Sequence, residues 1–332
     1  MKIDKTFLNR FVKVTEMAAY GASLHKGKGD KIAADQAAVD YMRGELNKIE
    51  MKGNVVIGEG ELDEAPMLFI NEKVGTQNGI EFDIAVDPLE CTNFTAKNLP
   101  NSLSVMAIST KGNMLKAPDM YMEKIAIGPN HPKNLVDLDF TIEKNINLLA
   151  DSKKKNIKDL TACLLKRPRH GSIIKSLTEM GVAIKFIDDG DVHGVISVGE
   201  TDSHIDIFIG IGGAPEGVLA AAALSCLDCQ MQTRLKFENE KQKIKGRELG
   251  IKNLDKKYNI DDMIKSDVIF TATGVTHGEL VDGVKDLNDF FQTETYALHK
   301  SAKVKQKIIN KIKKWLLVQL VEKTGFLKSI AL

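Results

Sequence analysis

Two acidic segments concentrate the side chains that could do chemistry. Glu59, Glu61, Asp63 and Glu64 crowd together directly after the apolar run Asn54–Gly58. Asp87 closes a second apolar run, Phe82–Asp87, and Pro88, Glu90, Cys91 and Thr92 lie just beyond it. A strand that releases into Gly or Pro turns its last side chains into a crevice, where α/β sheets usually carry their sites. Carboxylates gathered there repel one another unless a cation neutralises them. An oxygen-rich set without interleaved Cys or His suits Mg²⁺ or Mn²⁺ better than zinc. One such segment alone could be a solvated acidic turn; two of them after two buried strands favour a metal site.

The surrounding elements must position these groups. Phe7, Phe11, Val14, Ala18 and Gly21 recur at spacings of three and four, which predicts a helix over 6–24. Asp30 is placed to cap a second helix running to about Ile49, with Ala34, Ala37, Ala38, Tyr41 and Leu46 on its buried side. Asn54–Gly58, Phe82–Asp87 and Leu103–Thr110 read as strands. Lys153–Lys155 reads as a solvated linker. Beyond it, Leu160–Leu165, Val182–Ile187, Ile205–Gly210 and Val268–Thr273 read as strands, and Ser172–Met180 and Pro215–Leu227 as helices. Ser301–Val321 carries Val304, Ile308, Ile312, Trp315 and Leu316 among lysines and reads as a basic amphipathic helix. Strands alternating with helices imply a layered α/β fold with covered sheets.

Composition limits the alternatives. At roughly 150 residues per domain, 332 residues make one large or two ordinary domains. Forty-six Lys and Arg face 45 Asp and Glu, so a generally basic nucleic-acid binder is excluded. That balance is uneven along the chain, since nine lysines and one glutamate lie between His299 and the end. Four cysteines are too few for a disulfide framework and suit a reduced, cytoplasmic setting. No signal-peptide pattern and no run of about 18 apolar residues occurs, so no membrane association is expected. Gly210-Ile-Gly-Gly-Ala-Pro-Glu-Gly217 places Pro215 where a dinucleotide loop needs its third glycine. Cys226-Leu-Asp-Cys229 lacks a second pair, and seven scattered histidines have no ligand spacing.

Several longer blocks are more specific: Val56-Ile-Gly-Glu-Gly-Glu61 with Asp63-Glu-Ala-Pro-Met-Leu68, Asp87-Pro-Leu-Glu90, and Ala117-Pro-Asp-Met-Tyr-Met-Glu-Lys124. Asp189-Gly-Asp191, Gly210–Gly217 and Ala272-Thr-Gly-Val-Thr276 follow in order. Together they resemble the class II fructose-1,6-bisphosphatases over nearly the whole chain. That family belongs to the lithium-sensitive sugar and inositol phosphatases, with the signature Asp-Pro-x-Asp/Glu-Gly-Thr/Ser. The resemblance implies a layered α-β-α-β-α sandwich of the inositol monophosphatase-like type. With Lys153–Lys155 as the linker, the chain divides into a metal-binding lobe over 1–155 and a recognition lobe over 156–332 that also supplies Glu216. The resemblance also implies hydrolysis of the 1-phosphate of fructose 1,6-bisphosphate in gluconeogenesis, with Mn²⁺ or Mg²⁺, by a cytoplasmic dimer or tetramer.

By the same resemblance, Asp35, Glu59, Asp87, Glu90 and Glu216 would ligate metal. Thr92 would position the attacking water with Asp63 as its acceptor, a role compatible with capping a helix. Lys31 would help neutralise phosphate or hydroxide. Glu90, Cys91, Thr92, Tyr121, Arg167, Arg169, Asp189, Asp191 and Gly213 would contact the sugar and its phosphates. The guanidinium fork suits a distal phosphate. Without the resemblance, Asp188–Asp191 would read as a plain β-turn.

Departures mark where this chain could differ. Cys91 replaces the signature glycine, where a positive φ would cost about 1–2 kcal/mol for any side chain, and an exposed thiol there would be open to oxidation. Arg167 stands where relatives commonly carry lysine. Thr293–Lys300 resembles a block that usually ends in arginines, near the places of His299 and Ala302. Alternatives are a broader specificity that includes sedoheptulose 1,7-bisphosphate, and a metabolite-binding paralogue weakened at Cys91. A third is nucleic-acid binding through the terminal basic helix.

Overall fold

The computed structural model describes residues 2–58 and 68–314. Glu59, Glu61, Asp63, Glu64 and Trp315 lie outside the described residues. Two sheets organise the fold. The first holds β1 (Met51–Ile57), β2 (Lys73–Val74), β3 (Ile80–Glu90), β4 (Leu103–Thr110), β11 (Val268–Gly274), β12 (Lys285–Leu287), β13 (Phe290–His299) and β14 (Val304–Lys313). The second holds β5 (Tyr121–Ile127), β6 (Thr161–Leu165), β7 (Ala183–Ile187), β8 (Ile207–Gly213), β9 (Gln230–Lys236) and β10 (Lys257–Asn259). The helices are α1 (Thr6–Ser23), α2 (Lys31–Leu46), α3 (Thr92–Lys97), α4 (Ile142–Lys153), α5 (Gly171–Glu179), α6 (Asp191–Ile196), α7 (Ala214–Cys226), α8 (Glu240–Glu248) and α9 (Ile260–Met263).

Strand alternation creates the layers. Val55, Ile84, Met106, Ile108 and Ile269 face α1 and α2, where they pack on Phe11, Met17 and Met42. Their neighbours Val56, Ala85, Val105, Phe270 and Ala272 face inward onto α7. From the second sheet, Met122, Ala126 and Phe208 close on α7 from the other side. The opposite face of that sheet, through Ile125, Ile127, Leu164 and Ile209, packs on α4 and α5. The order is therefore helix, sheet, helix, sheet, helix, as expected. Helix α7 is buried all round, which explains its continuous run of Val218, Leu219, Ala220–Ala223 and Leu224.

The expected boundary at 155/156 does not coincide with the sheets. Strand β5 precedes it yet lies in the middle of the second sheet, between β9 and β8, and β11–β14 follow it yet complete the first. Lys153–Lys155 is not a free linker: it ends α4, and the amines of Lys153 and Lys155 hold buried Asp206 at 2.5 and 3.0 Å.

The terminal helix is also corrected. Residues 304–313 form a strand paired with β13 along its whole length. Val304, Ile308 and Ile312 are four apart, a spacing that one face of a helix and one face of a strand both satisfy. The strand wins because β13 offers a full ladder and α1 an apolar cover for those three side chains. Asn310 on the same face donates to buried Glu16 at 2.7 Å. The nucleic-acid alternative rested on that helix and loses its footing over the described part of the segment.

Candidate active site

Strands β1 and β3 run parallel, and β3 continues past the end of β1 to carry Asp87 and Glu90. On β3, residues three apart would normally face opposite sides of the sheet. An irregularity at Pro88–Leu89 restores the match: Asp87 pairs opposite Val105 and Glu90 opposite Leu103, with two residues against one between them. Leu89 then turns to the α1/α2 side, and Glu90 reaches inward to α6. Its Oε1 accepts from the Val192 amide at 2.9 Å, while Oε2 is buried without a hydrogen-bond partner. Burial, reinforced by the charges of Glu216, Asp191 and Asp189, pushes the Glu90 carboxyl up to about 8.

From the opposite sheet, β8 runs through Gly212 and Gly213 into α7, whose first turn carries Glu216. A Cβ on Gly213 would lie 2.0 Å from Glu216 Oε2, so glycine there lets the carboxylate fold back over the helix start. Burial raises the Glu216 carboxyl, opposed by the nearby Lys124 charge, and its Oε2 also has no partner. On α2, Asp30 caps the helix by accepting from the Ala33 amide at 2.9 Å, as expected. Asp35 follows one turn on, with a buried, unpartnered Oδ1 and a carboxyl raised by burial to about 6.

Unpartnered oxygens on Asp35, Glu90 and Glu216 are expensive unless something binds them. Three hard oxygen donors fit a Mg²⁺- or Mn²⁺-like ion, and no sulfur or imidazole competes among them. Among the described residues, no three acidic, His or Cys side chains converge tightly enough to hold an ion by themselves. The expected set includes Glu59, which lies outside them.

A cavity of about 410 Å³ opens beside Glu216. It brings together Tyr121, Arg167, Arg169, Asp189, Asp191 and Gly213 with Glu216. Six residues expected to contact substrate thus line one space, although they come from four separate stretches of chain. Arg169 lies over the Tyr121 ring at 4.5 Å and donates to the Ile211 carbonyl through Nε and Nη2 at 3.1 and 2.8 Å. Arg167 sits 3.6 Å from Asp189, whose carboxyl is raised by burial against that cation.

Comparison with known proteins rests on nearly the whole chain. The model of the bacterial, glpX-encoded fructose-1,6-bisphosphatases matches residues 5–313. The chain belongs to that family. A class 2 fructose-1,6-bisphosphatase from Haemophilus influenzae is 42% identical over 320 residues, covering 92% of this chain and 96% of the relative. A Synechococcus protein named D-fructose 1,6-bisphosphatase class 2/sedoheptulose 1,7-bisphosphatase is 40% identical over 312 residues, 86% of this chain and 90% of its own. The crystal structure of extragenic suppressor protein suhB from Bartonella henselae is 12% identical, with a TM-score of 0.33 over 59% of this chain and 74% of its own.

Within this family member, Cys91 adopts φ 67° and ψ 54°, the left-handed conformation that the family's glycine tolerates. It occupies the cap position before α3, so Thr92 is the first helical residue and not the cap. The thiol is buried and held well above its ordinary range by that burial and by Glu90, Asp189 and Asp87, so it stays protonated. This removes the expected route to oxidation. Replacing Cys91 with Gly relieves about 1–2 kcal/mol of backbone strain but loses a buried side chain and about 0.5–1 kcal/mol through backbone entropy. Thermal melts should show little net change, and kcat/KM should hold or rise. A sharp loss of activity at unchanged stability would assign the thiol a role of its own.

Other expectations fall elsewhere. Lys31 is exposed at the start of α2. His299 is buried beneath β13 against Asp267 at 3.1 Å, a carboxylate that also accepts from the Ser301 hydroxyl and the Ile3 amide. It therefore braces the N-terminus. Cys226 and Cys229 are separate free thiols, each pushed up to about 12 by burial. His170, which the sequence suggests only as a helix-start residue, is fully buried. Its Nδ1 donates to the Leu165 carbonyl and its Nε2 accepts from the Ile211 amide, each within 2.8 Å. It ties the arginine loop to β8. Lys124, buried behind the cavity and bonded to Asp191, was part of a matching block but carried no expected role.

Proposed function

We propose that this protein hydrolyses the 1-phosphate of fructose 1,6-bisphosphate to give fructose 6-phosphate and phosphate. The observation that carries this reading is the cavity whose lining passes from Arg167 and Arg169 to Asp191 and Glu216. One end offers cations to a distal phosphate, and the other offers carboxylates that need a cation themselves. A divalent ion held by Asp35, Glu59, Asp87, Glu90 and Glu216 would screen the phosphoryl charge and supply an activated water.

The chain's own residues do the rest. Arg167 and Arg169 bind the distal phosphate, and Asp189 and Asp191 accept from sugar hydroxyls. Thr92, at the start of α3 beside Glu90, holds the attacking water, and Asp63 takes its proton. Lys31, exposed at the start of α2, helps neutralise phosphate or hydroxide charge. A rigid floor of β3 and α7 keeps the acceptor groups fixed while the ester bond is cleaved. The name of the Synechococcus relative favours a second reading in which sedoheptulose 1,7-bisphosphate is also cleaved. Assembly as a dimer or tetramer is part of the proposal and is read by sedimentation.

Purified protein given fructose 1,6-bisphosphate should release phosphate only with Mn²⁺ or Mg²⁺, lose that activity in EDTA, and regain it on metal addition. The ion should also raise the melting temperature of the metal-free protein, because it relieves the unpartnered carboxylates. A rate that survives EDTA overturns the proposal. A panel including sedoheptulose 1,7-bisphosphate and inositol monophosphate separates the substrate alternatives.

A further inference from the structure

Lys124, on β5, has no exposed surface. Its amine is hydrogen-bonded to Asp191 Oδ2 at the start of α6. The backbone is cleared around this pair. A Cβ on Gly212 would fall 1.8 Å from Asp191 Oδ2 and 3.1 Å from Lys124 Nζ, and one on Gly217 would fall 3.1 Å from Lys124 Cε. The second Asp191 oxygen, Oδ1, is buried without a partner, although Asp191 itself lines the cavity. Asp191 therefore carries two inequivalent oxygens, one held from behind and one left for a ligand.

We propose that Lys124 is a positioning residue that clamps Asp191 through Oδ2, so that Oδ1 accepts a hydrogen bond from a substrate hydroxyl. This inference rests on the sugar-bisphosphatase reading above and adds to it the group that orients the sugar. An ionised carboxylate is acceptor-only. With the like charges of Glu90, Asp189 and Glu216 nearby, it would rotate away if no cation fixed it. A lysine ammonium in a buried site does both jobs, because it donates a directed hydrogen bond and offsets charge.

The test compares Lys124→Met, which removes donor and charge, with Lys124→Gln, which keeps a donor. Both are assayed as metal-saturated full-length protein. Two substrates are used: fructose 1,6-bisphosphate, and p-nitrophenyl phosphate, a phosphomonoester without sugar hydroxyls. For the sugar substrate, kcat/KM should fall about 100-fold in the methionine variant and about tenfold in the glutamine variant, mostly through KM. For p-nitrophenyl phosphate it should stay within about threefold of wild type. Calorimetric titration with fructose 6-phosphate should weaken in step with KM. An equal fall on both substrates, no fall on either, or failure of both variants to fold would overturn the positioning role. A wild-type protein that binds fructose 6-phosphate but cleaves neither ester sinks the functional reading alone, and the titration still decides Lys124. A wild type that binds no fructose 6-phosphate overturns both.

Discussion

Replacing Glu90 with Gln should lower phosphate release by roughly 10³-fold or more and, in the metal-free protein, make the fold more stable at neutral and alkaline pH. The two effects have one cause. Glu90 is 4% exposed, one oxygen takes the Val192 amide, and the other has no partner. Its carboxyl stands at about 8, raised by burial and by three neighbouring carboxylates. For an acid whose folded pKa lies above its unfolded value, the unfolded chain releases its proton first. Stability therefore falls as pH rises from about 4.5, the unfolded value, and stops falling above about 8. The glutamine variant carries no such charge, so its advantage over metal-free wild type should open across that window and reach a few kcal/mol, in order of magnitude. Metal reverses the ranking, because a cation needs the ionised carboxylate and its affinity should climb with pH over the same range. Melts with and without Mn²⁺ at pH 5, 7 and 9 check both halves. A variant that stays active, or a metal-free variant no more stable than wild type at pH 9, would show that Glu90 is not the group that holds the ion.

The carboxylate at Glu90 was legible in the sequence because a β-strand ending in Asp-Pro-Leu-Glu has few other uses. What the sequence did not reveal is how Asp87 and Glu90, three apart, come to share a face. That depends on the irregularity at Pro88–Leu89, set by pairing with β4, a strand whose register no local pattern encodes. The same limit explains β14. Val304, Ile308 and Ile312 satisfy both periodicities, and only the partner strand β13 decides between them. It also explains the displaced lobe boundary: β5 and β11–β14 join sheets distant from their sequence neighbours, and a change of local pattern cannot report such crossings. Lys124 escaped notice for a different reason. A lysine within Met-Glu-Lys-Ile reads as surface, and nothing short of the buried carboxylate opposite it announces otherwise. By contrast, the helices over α1, α2 and α7 were evident from spacing and capping, since those signals are local.

Arg169→Ala should raise KM for fructose 1,6-bisphosphate by about 30- to 100-fold, equivalent to about 2–3 kcal/mol, with kcat changed much less. The size follows from how the side chain is held before any substrate arrives. The guanidinium rests over the Tyr121 ring and spends Nε and Nη2 on the Ile211 carbonyl, which His170 secures from behind through the Ile211 amide. Little rotamer freedom remains to be lost on binding, so each hydrogen bond to phosphate counts more nearly in full. Lysine cannot substitute. A single ammonium would have to choose between the Ile211 carbonyl and the phosphate, so Arg169→Lys should recover only a small part of the loss. Arg167 makes a looser contact, 3.6 Å from Asp189, and its removal also strips the counter-charge from that carboxyl. Arg167→Ala should therefore weaken binding of both the sugar and its distal phosphate. The discriminating measurement uses a monophosphate ester lacking the distal group. Arg169→Ala should leave its kcat/KM near wild type, because a cation that recognises only the far phosphate has nothing to bind there. Equal losses on mono- and bisphosphate substrates would place Arg169 at the reacting phosphoryl group instead, and the polarity assigned to the cavity would have to be reversed.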